Sequence, residues 1–216
     1  MTRTLSEAQS KQLLGPFGVP FLPERLAVSP AEAGAAALAV GLPVVAKLCG
    51  ESIAHKTERG LVKLGLRTEA DVITASESLL AAARPQDGDV SVLIAPMVTA
   101  TREFIAGMVV DEQFGPTVLL GVGGILAEAI SDVVVRLAPI TSIDAHEMID
   151  SIASQALLDP FRGEPAVDRD ALAAVLLALS DAAVARPDLV SIDINPLMIC
   201  DGRPIAVDAL VEVADR

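Results

Sequence analysis

The sequence predicts an α+β protein built from two halves. Short apolar runs of strand length and longer segments with helical spacing occur in both halves, and a strand hairpin lies near the end of the chain. Pro96 breaks an apolar strand in the middle of the chain, because proline removes a backbone donor. We therefore place the boundary near Pro96 to Thr101, which gives two domains, residues 1–97 and 98–216.

The composition restricts the classes of function. With 52% hydrophobic residues and a mean hydropathy of +0.53, the 216-residue chain can bury a sizeable core. No apolar run reaches the roughly 18 residues that span a bilayer, and the first residues lack the apolar stretch of a signal peptide, so we expect no membrane association and a cytoplasmic location. The net charge of −13 disfavours nucleic acid as a partner. An anionic ligand would need local cations to overcome this charge, so each Lys, Arg and His matters.

In the first half, helix signals alternate with apolar runs. Leu5 to Leu14 has helical spacing and is stopped by Gly15-Pro16. Ser29-Pro30 with Glu32 combines an N-cap, a first-turn proline and a capping-box acid for a helix that ends at Gly41. The remaining predicted elements are strands at Pro43 to Leu48, Leu61 to Leu66 and Val90 to Val98, and a helix from the Thr68 cap to about Ala83.

The second half also contains both strands and helices. Its predicted strands are Glu103 to Val110, Thr117 to Leu120 and Val133 to Ile140, and its predicted helices are Asp144 to Leu157 and Asp168 to Ala185, with Asp168 as N-cap. The glycine run Gly121 to Gly124 follows a strand and precedes a helical segment. Backbone N–H groups of such a turn can approach phosphate, although as a lone motif it is weak.

The stretch from Ser191 to Asp208 predicts a hairpin with oxygen ligands on it. Two apolar runs flank Asp201-Gly202, a strong hairpin turn. Strand alternation places Asp193 and Asn195 on one face, and pairing across the turn brings Asp208 within reach. Three oxygen-bearing side chains suit Mg²⁺ with a phosphate. The alternative is that the two acids merely flank turns and Asn195 merely precedes a proline.

The candidate phosphate-binding cations lie in and after the Pro43 to Leu48 strand. Lys47 is the only charge in that buried run, and it either snorkels out at the sheet edge or points at an anion in a cleft. The following loop, Gly50 to Gly60, holds His55, Lys56 and Arg59. Such a cationic loop in an acidic chain suggests a flap over phosphates. The alternative is an ordinary solvated loop.

Together these features resemble the ATP-grasp fold, in which two α+β subdomains enclose a nucleotide cleft. Longer motifs resemble the β subunit of ADP-forming (NDP-forming) acyl-CoA synthetases, also called acetate–CoA ligases, and succinyl-CoA synthetase β is a more distant relative. The motifs are H-K-T-E-R-G-L-V-K-L-G-L, D-E-Q-F-G-P-T-V-L-L-G-V-G-G-I-L-A-E, D-V-V-V-R-L-A-P-I, D-I-N-P-L and A-V-D-A-L. The resemblance covers nearly the whole chain.

The resemblance implies a role for each candidate residue, with ATP or ADP and Mg²⁺ as cofactors. Lys47 matches the lysine on the nucleotide α and β phosphates. Ala95 to Val98, with Pro96, matches the hinge whose backbone receives adenine, and Glu103 matches the acid on the ribose hydroxyls. Asn195 and Asp208 match the magnesium ligands, and Asp193 stands where relatives also carry an acid.

His55 matches the histidine that carries phosphate transiently in this family. Neutral imidazole is nucleophilic near its pKa of about 6.5, so a loop histidine can accept and release phosphate. Lys56 and Arg136 would neutralise charge on the moving phosphoryl group. The family loop usually reads H-K-T-D-V-G-G-V, whereas this chain has Glu58, Arg59 and Leu61, which changes the loop's mobility or its phosphate contacts.

The predicted function is the nucleotide-binding subunit of a hetero-oligomeric acyl-CoA synthetase, with a CoA-binding α subunit as partner. Two alternatives remain open. One is a stand-alone ATP-grasp ligase that joins a carboxylate to an amine, although such enzymes normally carry a further N-terminal substrate domain. The other is a non-catalytic, regulatory nucleotide-binding module, which would need no phosphate acceptor at position 55.

Overall fold

The structure is a computed structural model that describes residues 2–50, 53, 56, 59–124, 130–160 and 163–214. Both helices and antiparallel strands occur on each side of Met97, which confirms the predicted α+β class. Within the described residues the strands are β1 (Thr2–Thr4), β2 (Arg25–Ala27), β3 (Val44–Cys49), β4 (Val62–Leu66), β5 (Ser91–Pro96), β6 (Glu103–Asp111), β7 (Gly115–Val122), β8 (Val133–Leu137), β9 (Leu189–Cys200), β10 (Arg203–Ala206) and β11 (Leu210–Ala214). The α-helices in the same residues are α1 (Glu7–Leu14), α2 (Pro30–Val40), α3 (Glu69–Ala81), α4 (Ser142–Asp150) and α5 (Arg169–Ala185).

The chain divides into two compact units. The smaller unit comprises Thr4–Gln9 and Leu22–Met97, and the larger comprises Met1–Arg3, Ser10–Phe21 and Val98–Arg216. The chain passes from the smaller to the larger unit between Met97 and Val98. The segment Ser10–Phe21 belongs to the larger unit, whereas the sequence assigns it to the first domain, because strands β10 and β11 bond to it. Val211 donates its N–H to the Ser10 hydroxyl, and Ala206 donates to the Pro20 carbonyl.

The smaller unit is a four-stranded antiparallel sheet in the order β2-β5-β3-β4, covered by α2 and α3. Helix α2 begins where the sequence predicts, since the Ser29 hydroxyl accepts a hydrogen bond from the Glu32 N–H. Thr68 and Asp71 form a complete capping box at the start of α3. All six residues of the central strand β3 are buried, so any charge on that strand requires a partner.

The larger unit is a seven-stranded sheet in the order β1-β11-β9-β6-β7-β8, with β10 also paired to β9. One face of this sheet is apolar and packs against α5. In β6 that face is formed by Phe104, Ala106 and Met108, which are at most 1% exposed. The other face, which we call the outer face, carries the residues between them. The core of this unit therefore lies on the helix side of the sheet.

The sequence-based prediction was wrong about one helix of the larger unit and missed two strands of its sheet. The expected helix from Asp144 to Leu157 ends at Asp150, because the Asp132 carboxylate accepts hydrogen bonds from the N–H groups of Ala153 and Ser154 and draws the chain out of the helix. The two strands that were not predicted are β1 and β11. In β11 the buried Val211 and Val213 flank Glu212, an alternation of apolar and polar residues that the sequence contains.

No α-helix in the described part of the chain is long and apolar enough to cross a membrane.

A buried arginine fastens the segment after α4 to the start of β6. Arg102 is 1% exposed, and its guanidinium donates to the Glu164 carboxylate and to the carbonyls of Leu157, Asp159 and Pro165 at 2.7–3.3 Å. Glu164 also accepts from the Thr101 hydroxyl at 2.6 Å. The planar fork of arginine satisfies several acceptors at once, which the single ammonium of lysine does not.

We expect Arg102→Met to lower the free energy of unfolding by about 3 kcal/mol, because it leaves one carboxylate and three carbonyls without their donor. Arg102→Lys should lose about half as much, since lysine restores the charge but not the fork. Urea unfolding measures both. Arg203→Met, at an exposed arginine, should change the value by less than about 0.5 kcal/mol. Equal losses for Arg102→Met and Arg203→Met would contradict this assignment.

Candidate functional site

The predicted hairpin is present and is formed by β9 and β10. Arg203 pairs with Cys200, which leaves Asp201 and Gly202 as a two-residue turn. Both have positive φ, 49° and 80°, as a turn of this type requires. The prediction of a hairpin at Asp201-Gly202 is confirmed.

The three predicted magnesium ligands lie at one level of this hairpin. Asp193 and Asn195 are exposed and alternate with Ile192 and Ile194, which are at most 2% exposed. Strands β10 and β11 pair with β9 in one register, because Ala206 lies opposite Leu197 and Leu210 lies opposite Asp193. Between these pairs, Val207 donates its N–H to the Pro196 carbonyl. Asp208 therefore lies across from Asn195.

The charges of the two acids interact. Although Asp193 is open to solvent on the outer face, the surrounding chain desolvates its carboxylate, and the nearby Asp208 adds repulsion, so that the pKa of Asp193 is raised. A divalent cation would relieve both effects. Two carboxylates and an amide oxygen are hard ligands of the kind that Mg²⁺ takes together with phosphate oxygens and water. In the described residues no three His, Cys, Asp or Glu side chains form a metal site, so here the amide of Asn195 would supply the third oxygen.

Glu103 lies on the same outer face as Asp193. It begins β6, and Gly107 of β6 pairs with Asp193 of β9. Strand β6 pairs with β7 without a break, so Glu103 and Gly107, an even number of residues apart, share a face. The glycine run ends against Glu103, because the Gly123 N–H donates to the Glu103 carbonyl at 2.8 Å. The remainder of the predicted glycine-to-helix turn, residues 125–129, lies outside the described residues.

Arg136 occupies the opposite face of the sheet. It pairs with Val118, which is fully buried on the helix side, while its neighbours Val135 and Leu137 are exposed on the outer face. The charge of Arg136 contributes to the lowered pKa of Asp144, after the hydrogen bonds from Thr141 that dominate this shift. The structure therefore places Arg136 near the start of α4 and does not bring it together with Glu103 or Asp193.

In the smaller unit, Lys47 does not snorkel to solvent. It lies in the middle of β3, paired with Val62 and Leu93, and is 5% exposed. Its ammonium donates to Glu7 Oε1 at 2.7 Å. Lys56 of the cationic loop is 9% exposed and donates to the other oxygen, Glu7 Oε2. Sequence analysis missed Glu7, and the only available signal was that a lysine in a buried strand needs a counter-ion.

The cationic loop is only partly described. His55, the predicted phosphate acceptor, lies outside the described residues, as does Glu58. Arg59 forms two parallel bonds of 2.8 Å to the Asp87 carboxylate. Leu61 is 1% exposed in the apolar core of this unit, and its N–H donates to the Lys56 carbonyl at 2.9 Å. The loop is thus fastened at Lys56, Arg59 and Leu61.

The predicted adenine-binding backbone lies at the end of β5. Strand β2 pairs with β5 only as far as Ile94, whereas β3 continues to pair with Ala95 and Pro96. The backbone of Ala95 therefore has no β2 partner in the described strands, and such an edge suits the polar groups of a base. Met97 bonds to the Pro43 carbonyl, and Val98 is the first residue of the larger unit.

Comparisons with known proteins agree along the whole chain. The family model of the ATP-grasp domain matches residues 1–213. The β subunit of acetate–CoA ligase (ADP-forming) I from Pyrococcus furiosus is 37% identical over 96% of this chain and 90% of its own length. The 4-hydroxybutyrate–CoA ligase (ADP-forming) of Nitrosopumilus maritimus is 34% identical over 91% of this chain, which there corresponds to 29% of a longer protein.

A solved structure extends the similarity to three dimensions. It is the dinucleotide-forming acetyl-coenzyme A synthetase 1 of Ca. Korarchaeum cryptofilum, in complex with coenzyme A and Mg-AMPPCP, with a phosphohistidine segment pointing towards the nucleotide-binding site. Its TM-score to this chain is 0.85 at 31% sequence identity, over 98% of this chain and 93% of the other. The sequence and the fold therefore lead to the same group of proteins.

The Arg59–Asp87 pair predicts a pH dependence of stability. The bonds from Arg59 lower the pKa of Asp87 from 3.8 to about 2. A carboxyl group whose pKa is lowered by folding stabilises the fold at pH values above its ordinary pKa. This contribution to the free energy of unfolding is lost as the pH falls from about 4 to about 2. We expect the difference in unfolding free energy between the wild type and Asp87→Asn to shrink over this window, as measured by urea unfolding at each pH. The exposed control Asp89→Asn should show no such trend, and a constant difference for Asp87→Asn would contradict the prediction.

Proposed function

The chain belongs to the ATP-grasp family, among the β subunits of ADP-forming acyl-CoA synthetases, and on this premise we propose that it is the nucleotide-binding subunit of such a synthetase. The proposed reaction is acyl-CoA + ADP + phosphate ⇌ carboxylate + CoA + ATP. Binding of the nucleotide and transfer of its terminal phosphate are the part assigned to this chain.

The observation that carries the proposal is the convergence of Asp193, Asn195 and Asp208 on the outer face of the larger sheet. Glu103 shares this face and, in the proposal, accepts hydrogen bonds from the ribose hydroxyls. Asp193, Asn195 and Asp208 would hold Mg²⁺, which would neutralise charge that develops on the phosphates during phosphoryl transfer. The raised pKa of Asp193 supports a cation between the two acids.

The smaller unit supplies the cations in this proposal. Lys47 and Lys56 present two ammonium groups from a strand and a loop, and electrostatic stabilisation of this kind is the main contribution that a protein makes to phosphoryl transfer. The backbone at Ala95 and Pro96 receives the adenine. Lys56 is a better candidate than Arg136 for the cation that neutralises the moving phosphoryl group. Arg136 lies on the helix side of its sheet, away from the outer face that carries Asp193.

His55 is the proposed phosphate carrier. A ring nitrogen of neutral imidazole forms a bond to the terminal phosphorus of ATP while the bond from phosphorus to the ADP oxygen breaks, and the electron pair leaves with ADP. The reverse step returns the phosphoryl group to ADP. The sequence motif H-K-T-E-R-G supports this role.

A CoA-binding α subunit completes the proposed enzyme. The Pyrococcus furiosus relative is named a β subunit, whereas the Nitrosopumilus maritimus relative is a longer single chain. A chain named as one subunit and a chain much longer than the matching part both support the proposal that this chain acts together with further protein parts. A hetero-oligomer in the cytoplasm is part of the proposal.

Nucleotide binding by the chain alone is the first test. We expect Asp208→Asn to weaken Mg-ADP binding at least about tenfold, because a ligand charge is lost, and to leave binding of ADP in EDTA almost unchanged. Isothermal titration calorimetry with and without Mg²⁺ measures both. Asp181→Asn, the same change at an exposed position on α5, is the matched control. Equal Mg-ADP affinity of Asp208→Asn and this control would contradict the magnesium assignment.

The relay is tested by His55→Ala in the presence of the α subunit purified with the chain. ATP formation from acyl-CoA, ADP and phosphate should be abolished, while Mg-ADP binding should be retained. Incubation of the wild type with ATP labelled at its γ-phosphate should give a phosphoprotein that is labile in acid and stable in base. Unchanged turnover of His55→Ala would refute the relay, and a chain that binds nucleotide but is never labelled would be a regulatory module.

A further inference from the structure

Strand β8 is the last strand of the larger sheet and leaves that sheet with an open edge. Among the described residues, β8 pairs with β7 on one side and with no strand on the other. Three of its side chains are apolar and about half exposed on the outer face: Val133 (54%), Val135 (49%) and Leu137 (53%). An unpaired strand with an exposed apolar face is a template for pairing with another chain.

The backbone hydrogen bonds show which residues of β8 direct their polar groups to the open edge. The Val122 N–H donates to the Asp132 carbonyl, and the Ala138 N–H donates to the Pro116 carbonyl. Bonded and non-bonded positions alternate along an antiparallel strand, and β8 pairs with β7 without a break, so the even-numbered residues of β8 bond to β7. The odd-numbered residues, which carry the exposed apolar side chains, therefore direct their N–H and C=O groups away from β7.

The other sheet edges are protected against pairing, whereas the edge at β8 is not. Among the described strands, β1 and β2 are edges only three residues long and carry the exposed Arg3 and Arg25. The edge strand β4 carries Lys63 beside a break in its register. Short length, a charged side chain and an irregular register are devices that prevent edge pairing. The only charged residue of β8, Arg136, lies on the helix side, so the outer face of β8 lacks such a device.

We propose that β8 pairs with β8 of a second copy of this chain, antiparallel and about a twofold axis at Val135, so that the larger sheets of the two copies join. Val135 then exchanges two backbone hydrogen bonds with its own counterpart, and Val133 lies opposite Leu137 of the second copy. The Val135 carbonyl already accepts an exposed bond of 3.2 Å from Arg136, and its second lone pair serves the new strand. A twofold interface requires a surface complementary to itself, which this pairing of apolar residues satisfies.

Charge on the helix side of β8 also favours a second copy as the partner. Arg136 and Asp132 are both partly exposed there. In the proposed register Arg136 lies diagonal to Asp132 of the second copy, a separation that a long side chain can span. The axis produces two such Arg–Asp pairs for each approach of one Arg136 to the other. The Asp132 carboxylate accepts from the N–H groups of Ala153 and Ser154, and its remaining lone pairs can accept from arginine.

A charge at the axis is the first test. We expect the wild type to be a dimer at micromolar concentration, and Val135→Lys to raise the dissociation constant of the dimer at least about tenfold, because two lysines then lie opposite each other. Leu64→Lys, the same charge at a 64% exposed leucine of the edge strand β4, is the matched control and should leave the dimer unchanged. Analytical ultracentrifugation measures the dissociation constants, and circular dichroism confirms that each variant is folded.

Disulfide formation tests the register and does not require the lysine variant to fold. The Cα atoms of a hydrogen-bonded antiparallel pair lie about 5.5 Å apart, which a disulfide can bridge, so Val135→Cys should cross-link to itself on mild oxidation. The two copies of residue 137 would lie four residues apart along the strands, at about 13 Å, so Leu137→Cys should not. The wild type, which contains Cys49 and Cys200, gives the background.

A monomeric wild type would overturn the inference, and so would a dimer that Val135→Lys and Leu64→Lys weaken equally. Equal cross-linking of Val135→Cys and Leu137→Cys would refute the register about Val135. If the wild type is monomeric and Val135→Lys prevents binding of the purified α subunit, the edge belongs to that subunit, and the second copy is refuted. None of these measurements involves nucleotide, so their failure is distinguishable from failure of the proposed function.

Discussion

Burial of two ammonium groups against one carboxylate is the constraint on which the arrangement of the smaller unit depends. Lys47 is enclosed on both sides by paired strands, and its side chain, 5% exposed, donates to Glu7 from within this nearly dry environment. The same carboxylate fixes Lys56 and thereby one end of the loop after β3. Ion pairs thus hold β3, the start of α1 and the loop after β3 together. Apolar packing alone would fix the relative positions of these three elements less specifically.

In the larger unit, side chains alternate between the two faces of the sheet, so that the candidate site residues lie on one face and the apolar core on the other. On the helix side, Phe104, Ala106 and Met108 of β6 and Ile192 and Ile194 of β9 are at most 2% exposed, whereas the outer face includes Glu103, Asp193 and Asn195. Gly107 contributes to this separation. A Cβ at Gly107 would lie 2.7 Å from the Ile192 carbonyl oxygen, so the close approach of β6 and β9 requires glycine. The position that pairs with Asp193 therefore carries no side chain, which leaves room beside the carboxylate.

The sequence predicted those features that depend on interactions between residues close together in the chain, namely helix starts and the hairpin turn. Ser29, Thr68 and Asp168 cap the helices that were expected from them, and the Asp201-Gly202 turn fixes a register that sets Asp208 across from Asn195. Contacts between residues far apart in the sequence could not be predicted in this way. The partner of Lys47 lies 40 residues away along the chain, and no periodicity relates the two positions. The face of Arg136 depends on its register with β7, which the sequence does not reveal.

The departures of the loop from the pattern of its family form one consistent set. Leu61 replaces a glycine and contributes its side chain to the core, which removes backbone freedom at the end of the loop. Arg59 replaces an apolar residue and bonds to the buried carboxylate of Asp87, in a turn that precedes β5. Both changes fasten the segment after Lys56 to the body of the smaller unit, while His55 and Lys56 keep the residue types of the family. The substitutions therefore alter how the loop is held and leave the groups proposed for phosphate transfer in place.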